Sequence, residues 1–228
     1  MKTIGLIGGM SWESTALYYR ILNQEVGRRL GGLHSADVLL HSVDFAPIEE
    51  LQRAGDWAAA GVLLAESARR LRDAGAGVIG LATNTMHIVA DAITAGLGVP
   101  FIHIADPTAE ALLADGFSRV GLLGTRFTME RPFYRERLSA RGLEVLVPEV
   151  DVTNLNGIIY EELVRGIVRD ASRTTYVRAI ELLAARGAEA VILGCTEIGM
   201  LIDDDSSPLP VFDTTDLHAR ALVAAALE

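Results

Sequence analysis

One cysteine, Cys195, and one lysine, Lys2, occur in a chain of 228 residues. A single cysteine forms no internal disulfide, which agrees with a cytoplasmic setting. The lone lysine precedes the first strand pattern, so a pyridoxal phosphate enzyme lacks its Schiff-base residue and no cofactor is expected. The histidines His34, His41, His87, His103 and His218 lack the close helical pairing of a zinc site, and no metal is expected. His41 and His103 lie in strand-like runs and read as satisfied core residues. No apolar stretch approaches the roughly 20 residues of a membrane span. Met1-Lys2-Thr3-Ile4 runs straight into a strand pattern, so no signal peptide is expected. A net charge of −10 argues against nucleic acid or an anionic membrane as partner. It does not forbid a small anionic substrate, because local amide donors outweigh global charge.

What is present repeats. Lys2–Gly9 is echoed by Ser118–Thr125, Leu64–Ala76 by Tyr176–Ala188, and Val99-Pro100-Phe101 by Leu209-Pro210-Val211. The run Val78-Ile79-Gly80-Leu81-Ala82-Thr83 matches Ala190 to Cys195 when Gly75 is aligned with Gly187, which sets Thr83 opposite Cys195. The pairings keep one order over a period of about a hundred residues, so the chain reads as a duplicated α/β unit. Half the residues are hydrophobic and the mean hydropathy is +0.30, ample for a core.

Short apolar runs alternate with helical periods, the signature of parallel sheets joined by crossover helices. Strands are expected at 3–7, 37–42, 78–81, 101–104, 120–123, 144–147, 190–193 and 211–212. Helices are expected at 13–29, 58–73, 86–95, 106–115, 130–140, 153–165, 172–186 and 216–227. The expected fold class is α/β, with two pseudo-symmetric parallel-sheet lobes, and an active site is expected in the cleft between them. Residues 1–100 with 211–228 form the first expected lobe and 101–210 the second. Ligands of open parallel sheets collect at the carboxyl ends of strands, where Gly8, Thr83, Thr125 and Cys195 fall.

Three segments there carry chemistry. Gly8-Gly9-Met10-Ser11 permits a tight turn into a helix capped by Ser11, with amides aimed at a carboxylate or phosphate. The G-x-G-x-x-G spacing of a dinucleotide site is absent. Thr83-Asn84-Thr85-Met86-His87 places three small polar side chains beyond a buried strand, more than helix capping requires, while His87 reads as structural. Cys195-Thr196-Glu197 ends an apolar strand at a thiol. A following helix N-terminus would favour the thiolate and lower its pKa from about 8.5. Glu197 is a possible contact for a substrate ammonium, or simply begins the helix with a favourable charge.

These motifs, G-G-M, T-N-T-M-H and G-C-T-E, resemble the aspartate/glutamate racemase family over essentially the whole chain. His41–Phe45 and Thr83–His87 are most similar to the subgroup specific for L-aspartate and L-glutamate. The resemblance implies a cofactor-independent, homodimeric racemase of small acidic amino acids. Cys195 matches the cysteine that takes the α-proton from the L-enantiomer. Thr83 stands where most relatives have their second cysteine. Asn84, Thr85 and Thr196 match residues that grip the α-carboxylate and amino group, with Met10 contributing and Thr125 closing the site. Gln52 matches the position that reads the side-chain carboxylate; Arg53 and Arg165 are weaker candidates for it. A threonine hydroxyl is too weak an acid to serve as general base, so it is expected to return a proton only, with slow reaction from the D side. Alternatives within the resemblance are a cysteine-dependent decarboxylase or isomerase, though 6% aromatic content is poor for an aryl pocket. Another is a catalytically silent sensor of acidic amino acids.

Overall fold

A computed structural model describes residues 1–228. They form two compact units, Met1–Ile104 with His218–Glu228, and Ala105–Leu217. Each unit holds one four-stranded sheet in which every pairing is parallel.

In the first unit, β1 (Ile4–Gly8), β2 (Val38–Ser42), β3 (Val78–Leu81) and β4 (Phe101–Ile102) lie in the order β2-β1-β3-β4. The central strands β1 and β3 are buried throughout, as sheets covered on both faces require. Helices α1 (Trp12–Leu30) and α3 (Trp57–Asp73) supply stripes at helical spacing: Tyr18, Leu22 and Val26 from one, and Leu64, Ala68 and Leu71 from the other. Two shorter helices, α2 (Phe45–Ala54) and α4 (Ala90–Thr94), complete this part. Strand β2 is an edge strand and only half covered, so His41 is partly buried and its Nδ1 has no hydrogen-bond partner. The expectation of a satisfied core histidine fails there, because one neighbour is missing along the sheet.

The second unit repeats the arrangement. Strands β5 (Arg119–Gly124), β6 (Glu144–Leu146), β7 (Ala190–Gly194) and β8 (Val211–Asp213) run in the order β6-β5-β7-β8. Its helices are α5 (Ala105–Ala114), α6 (Arg126–Glu130), α7 (Pro132–Ser139), α8 (Val152–Glu161) and α9 (Asp170–Ala185). The helix expected over 130–140 is interrupted because Pro132 starts a new helix at its first turn. Identical strand order makes β3 and β7 equivalent members of a duplicated fold.

The last helix, α10 (Thr214–Leu227), begins in the second unit, and from His218 onward it belongs to the first. Ala219, Leu222, Val223 and Ala226 share a buried cluster with Ile4, Leu6 and Tyr18. The His218 ring receives the Tyr18 hydroxyl at Nδ1 (2.8 Å) and donates from Nε2 to the Ile102 carbonyl (2.8 Å). The boundary at 211 expected from sequence therefore shifts: β8 pairs with β7, and the return falls at Leu217–His218.

Glu25 of α1 is buried and accepts Arg28 (2.7 Å), Arg29 (2.6 Å) and Arg220 (3.1 Å). The Arg28 guanidinium, opposed by burial and helped by Arg29, holds its carboxyl down at about 2. A depressed carboxyl contributes its full stability above the unfolded-state pKa, near 4.3, and loses it as pH falls through about 2. Because the arginines are partly solvated, Glu25→Gln should cost only roughly 2–3 kcal/mol at neutral pH. In urea unfolding across pH 2 to 7, wild type and variant should converge toward the acid end; a gap independent of pH would refute the assignment.

Candidate active site

The strand-to-helix corner after β1 is made by local hydrogen bonds. Gly9 adopts φ 94°, and a side chain there would strike the Val43 carbonyl, so only glycine fits. Ser11 caps α1 by accepting from the Ser14 amide (3.3 Å). The Gly9 amide, expected to face a ligand anion, donates instead to Thr15 Oγ1 (2.8 Å). Met10 is buried in the apolar cluster of α2, α3 and β3, next to the polar motif that follows β3.

That motif is also buried: Thr83 is 7% exposed, Asn84 2% and Thr85 5%. Sequence periodicity suggests a helix over 86–95. The chain instead forms a 3-10 turn, Thr85–Val89, before the five-residue α4. The cause is local. In an α-helix the His87 amide would bond the Thr83 carbonyl. Here it bonds the Asn84 carbonyl (3.1 Å), and the His87 ring takes the Thr83 carbonyl oxygen (2.7 Å). Gln52, from α2, is 4% exposed and donates to Met86 Sδ (2.8 Å), so α2 brings Gln52 to the same motif. Arg53 and Arg165 are exposed, and Arg53 lies 3.9 Å from Glu49 on its own helix.

In the second unit, Thr125 caps α6 by accepting from the Thr128 amide (3.2 Å) and is 5% exposed. Cys195 follows β7, next to Thr196 and Glu197, all three buried. The thiol donates to Glu197 Oε2 at 3.0 Å, and the Thr196 hydroxyl donates to the same oxygen at 2.7 Å. Tyr176, which donates to the Leu155 carbonyl (3.0 Å), joins Leu123, Ile158 and Ile198 in the apolar wall around the thiol.

The electrostatics reverse one expectation. Burial first, then the adjacent Glu197 carboxylate, push the Cys195 thiol well above its ordinary range. A helix N-terminus was to lower it. The chain after Cys195 forms only the 3-10 turn Ile198–Met200, while a carboxylate accepts the S–H. The resting sulfur is a thiol paired with an anion. Pairing between Glu197 and the thiol escaped sequence reasoning, which offered Glu197 to a ligand ammonium or to the start of the following helix. Adjacency in the chain was the available signal.

An apolar groove of about 460 Å³ between Pro148–Asp151 and α9 contains none of these residues. No group of three or more His, Cys, Asp or Glu side chains converges as a metal site. No helix is long and apolar enough to cross a membrane.

The Asp/Glu/Hydantoin racemase family model matches residues 7–222, nearly the whole chain and both sheets. The chain belongs to this family. A Yersinia pestis protein assigned to the Asp/Glu racemases is 53% identical, superposes with a TM-score of 0.93, and each chain is covered to 100%. An aspartate racemase homologue from Pyrococcus horikoshii OT3 is 37% identical with a TM-score of 0.84, again covering 100% of both. A glutamate racemase from Thermus thermophilus is 31% identical over 178 residues, 75% of this chain and 60% of its own length. In this chain the two sheet ends that the duplication makes equivalent carry different side chains, threonine after β3 and cysteine after β7.

Proposed function

We propose that the protein is a cofactor-independent racemase of L-aspartate and L-glutamate, in which Cys195 removes the α-proton and Thr83 supplies one to the opposite face. The observation that carries this reading is the buried thiol hydrogen-bonded to Glu197 at the end of β7. A thiol pushed up by burial and by a carboxylate is a stronger base once ionised. It needs a proton acceptor, and Glu197 Oε2 already receives its hydrogen.

The arriving substrate brings an ammonium, which favours negative charge on sulfur. The thiol proton then passes to Glu197, and the thiolate takes the Cα–H. Donors of Asn84, Thr85 and Thr196 stabilise the charge developing on the α-carboxylate, where a dry site strengthens each bond. Met10 and Thr125 shape the site, and Gln52 reads the distal carboxylate. The Thr83 hydroxyl delivers its proton to carbon as it regains one from water. Glu197 releases its proton to solvent as product leaves, so protons balance. The family resemblance supports a homodimer, and the absence of disulfide-forming cysteines supports a cytoplasmic setting.

One consequence corrects the expected slow reaction from the D side. Enantiomers have equal free energy, so kcat/KM must be equal in the two directions. The difference between thiol and hydroxyl can appear only as unequal kcat balanced by unequal KM. Chiral chromatography started from each enantiomer of aspartate and glutamate should give equal kcat/KM for each pair, with the higher kcat and KM from the same side. Stabilisation against heat by L-aspartate without turnover would overturn the racemase and favour a sensor; loss of carbon dioxide from a malonate would favour the decarboxylase.

A further inference from the structure

His87 has one possible protonation state in its surroundings. Its Nε2 accepts from the Ile104 amide (3.2 Å), and an amide only donates, so that nitrogen holds a lone pair. Its Nδ1 faces the Thr83 carbonyl (2.7 Å), which only accepts, so that nitrogen holds the hydrogen. The ring is neutral and of a single tautomer. It is 2% exposed and packed edge-on against His103, with ring centroids 4.4 Å apart, and near His218 at 5.9 Å. His218 is fixed in the opposite tautomer by Tyr18 and Ile102.

The ring clamps Thr83. Its carbonyl would otherwise be left without the helical bond described above, and its amide is held by the Leu81 carbonyl (2.9 Å). Both backbone polar groups of Thr83 are thus occupied, and its hydroxyl makes no hydrogen bond within the protein. A threonine hydroxyl commonly turns onto nearby backbone carbonyls; occupying its own carbonyl removes one of these distractions. The duplicated half lacks the device. Aligning Thr83 with Cys195 pairs His87 with Gly199, and the Cys195 carbonyl is taken by the Ile198 amide (3.1 Å). A side chain at Gly199 would begin 2.8 Å from Asp213 Oδ2, so a ring there would have to displace that carboxylate. Thiol and carboxylate define the second half's site; a clamped hydroxyl defines the first.

We propose that His87, as a neutral Nδ1–H imidazole, is a positioning residue that aims the Thr83 hydroxyl at the substrate by holding the Thr83 carbonyl. This rests on the reading of Thr83 as the proton-returning group. His87→Leu should lower kcat for L-to-D conversion roughly 10- to 100-fold, the scale of a small misplacement of a reacting group. KM should stay within about threefold, since substrate grip lies elsewhere. Proton delivery then becomes rate-limiting, so the solvent deuterium isotope effect on kcat should rise. His87→Asn, whose amide offers a donor near the Nδ1 position, should restore both kcat and the wild-type isotope effect. A fall in kcat with an unchanged isotope effect, or no restoration by asparagine, would mark His87 as mere packing and overturn the proposal.

A second measurement needs no turnover and no variant. NMR of histidine-¹⁵N-labelled wild-type protein should show the His87 proton on Nδ1 at neutral pH, and a proton on Nε2 overturns the clamp. Wild-type protein that binds L-glutamate but never racemises it, with the Nδ1–H tautomer present, defeats the functional reading while the clamp on the Thr83 carbonyl stands.

Discussion

Cys195→Ser should reduce racemisation of L-aspartate and L-glutamate by roughly a hundred- to ten-thousandfold, the range that removal of a general base produces. Serine is nearly isosteric and keeps the hydrogen bond to Glu197, so the fold and the substrate's thermal stabilisation should persist. What disappears is acidity: a hydroxyl beside a carboxylate in a buried site gives no usable alkoxide at neutral pH. The chain has no other thiol to compensate. Chiral chromatography would register the loss, and a variant retaining more than a tenth of wild-type kcat would remove Cys195 from the chemistry.

Glu197→Gln carries the second large effect, and two measurements should move in opposite directions. The carboxylate raises the thiol pKa both through its charge and by accepting the S–H. Replacing it with an amide removes the charge and weakens that bond, so Cys195 should ionise at lower pH. The rate of alkylation by iodoacetamide, followed against pH, should show its midpoint displaced toward acid. Turnover should nevertheless fall, by about a hundredfold, because the amide takes no proton from sulfur. If Glu197 acted only as an electrostatic obstacle, the same variant would be faster than wild type at neutral pH. Easier ionisation with slower racemisation separates the two roles.

Much of the frame was legible because it is written in local pattern. Buried runs such as Val78–Leu81 and Ala190–Gly194 are central parallel strands, and the duplication visible in sequence corresponds to identical strand order in the two sheets. Helix α2 was not anticipated. Pro47 lies within its first turn, where proline lacks no helical bond, and Asp44 caps it by accepting from the Ala46 amide (3.2 Å). In a short segment those residues read equally well as a loop. The 3-10 turn after β3 was hidden for another reason. It depends on the His87 ring reaching both a carbonyl four residues back and an amide seventeen residues ahead, a contact that periodicity does not encode.

The candidate site was legible in its residue types and not in its electrostatics. Cys195, Thr196 and Glu197 stand out as a polar triplet after an apolar strand. Whether the carboxylate faces a ligand or the thiol depends on a side-chain rotation, and that rotation reverses the direction of the thiol's shift. Gln52 likewise reads as a ligand contact in sequence, while its amide already meets Met86.

The central claim is that two different groups handle the α-proton, a thiolate on one face and a hydroxyl fed by water on the other. Its most direct test is ¹H NMR of L-glutamate turned over in D₂O, examined at low conversion. The account predicts that D-glutamate carries deuterium at Cα from the first turnovers, because its new hydrogen arrives through Thr83 from solvent. D-glutamate retaining the substrate's own protium would show one group serving both faces and would contradict it.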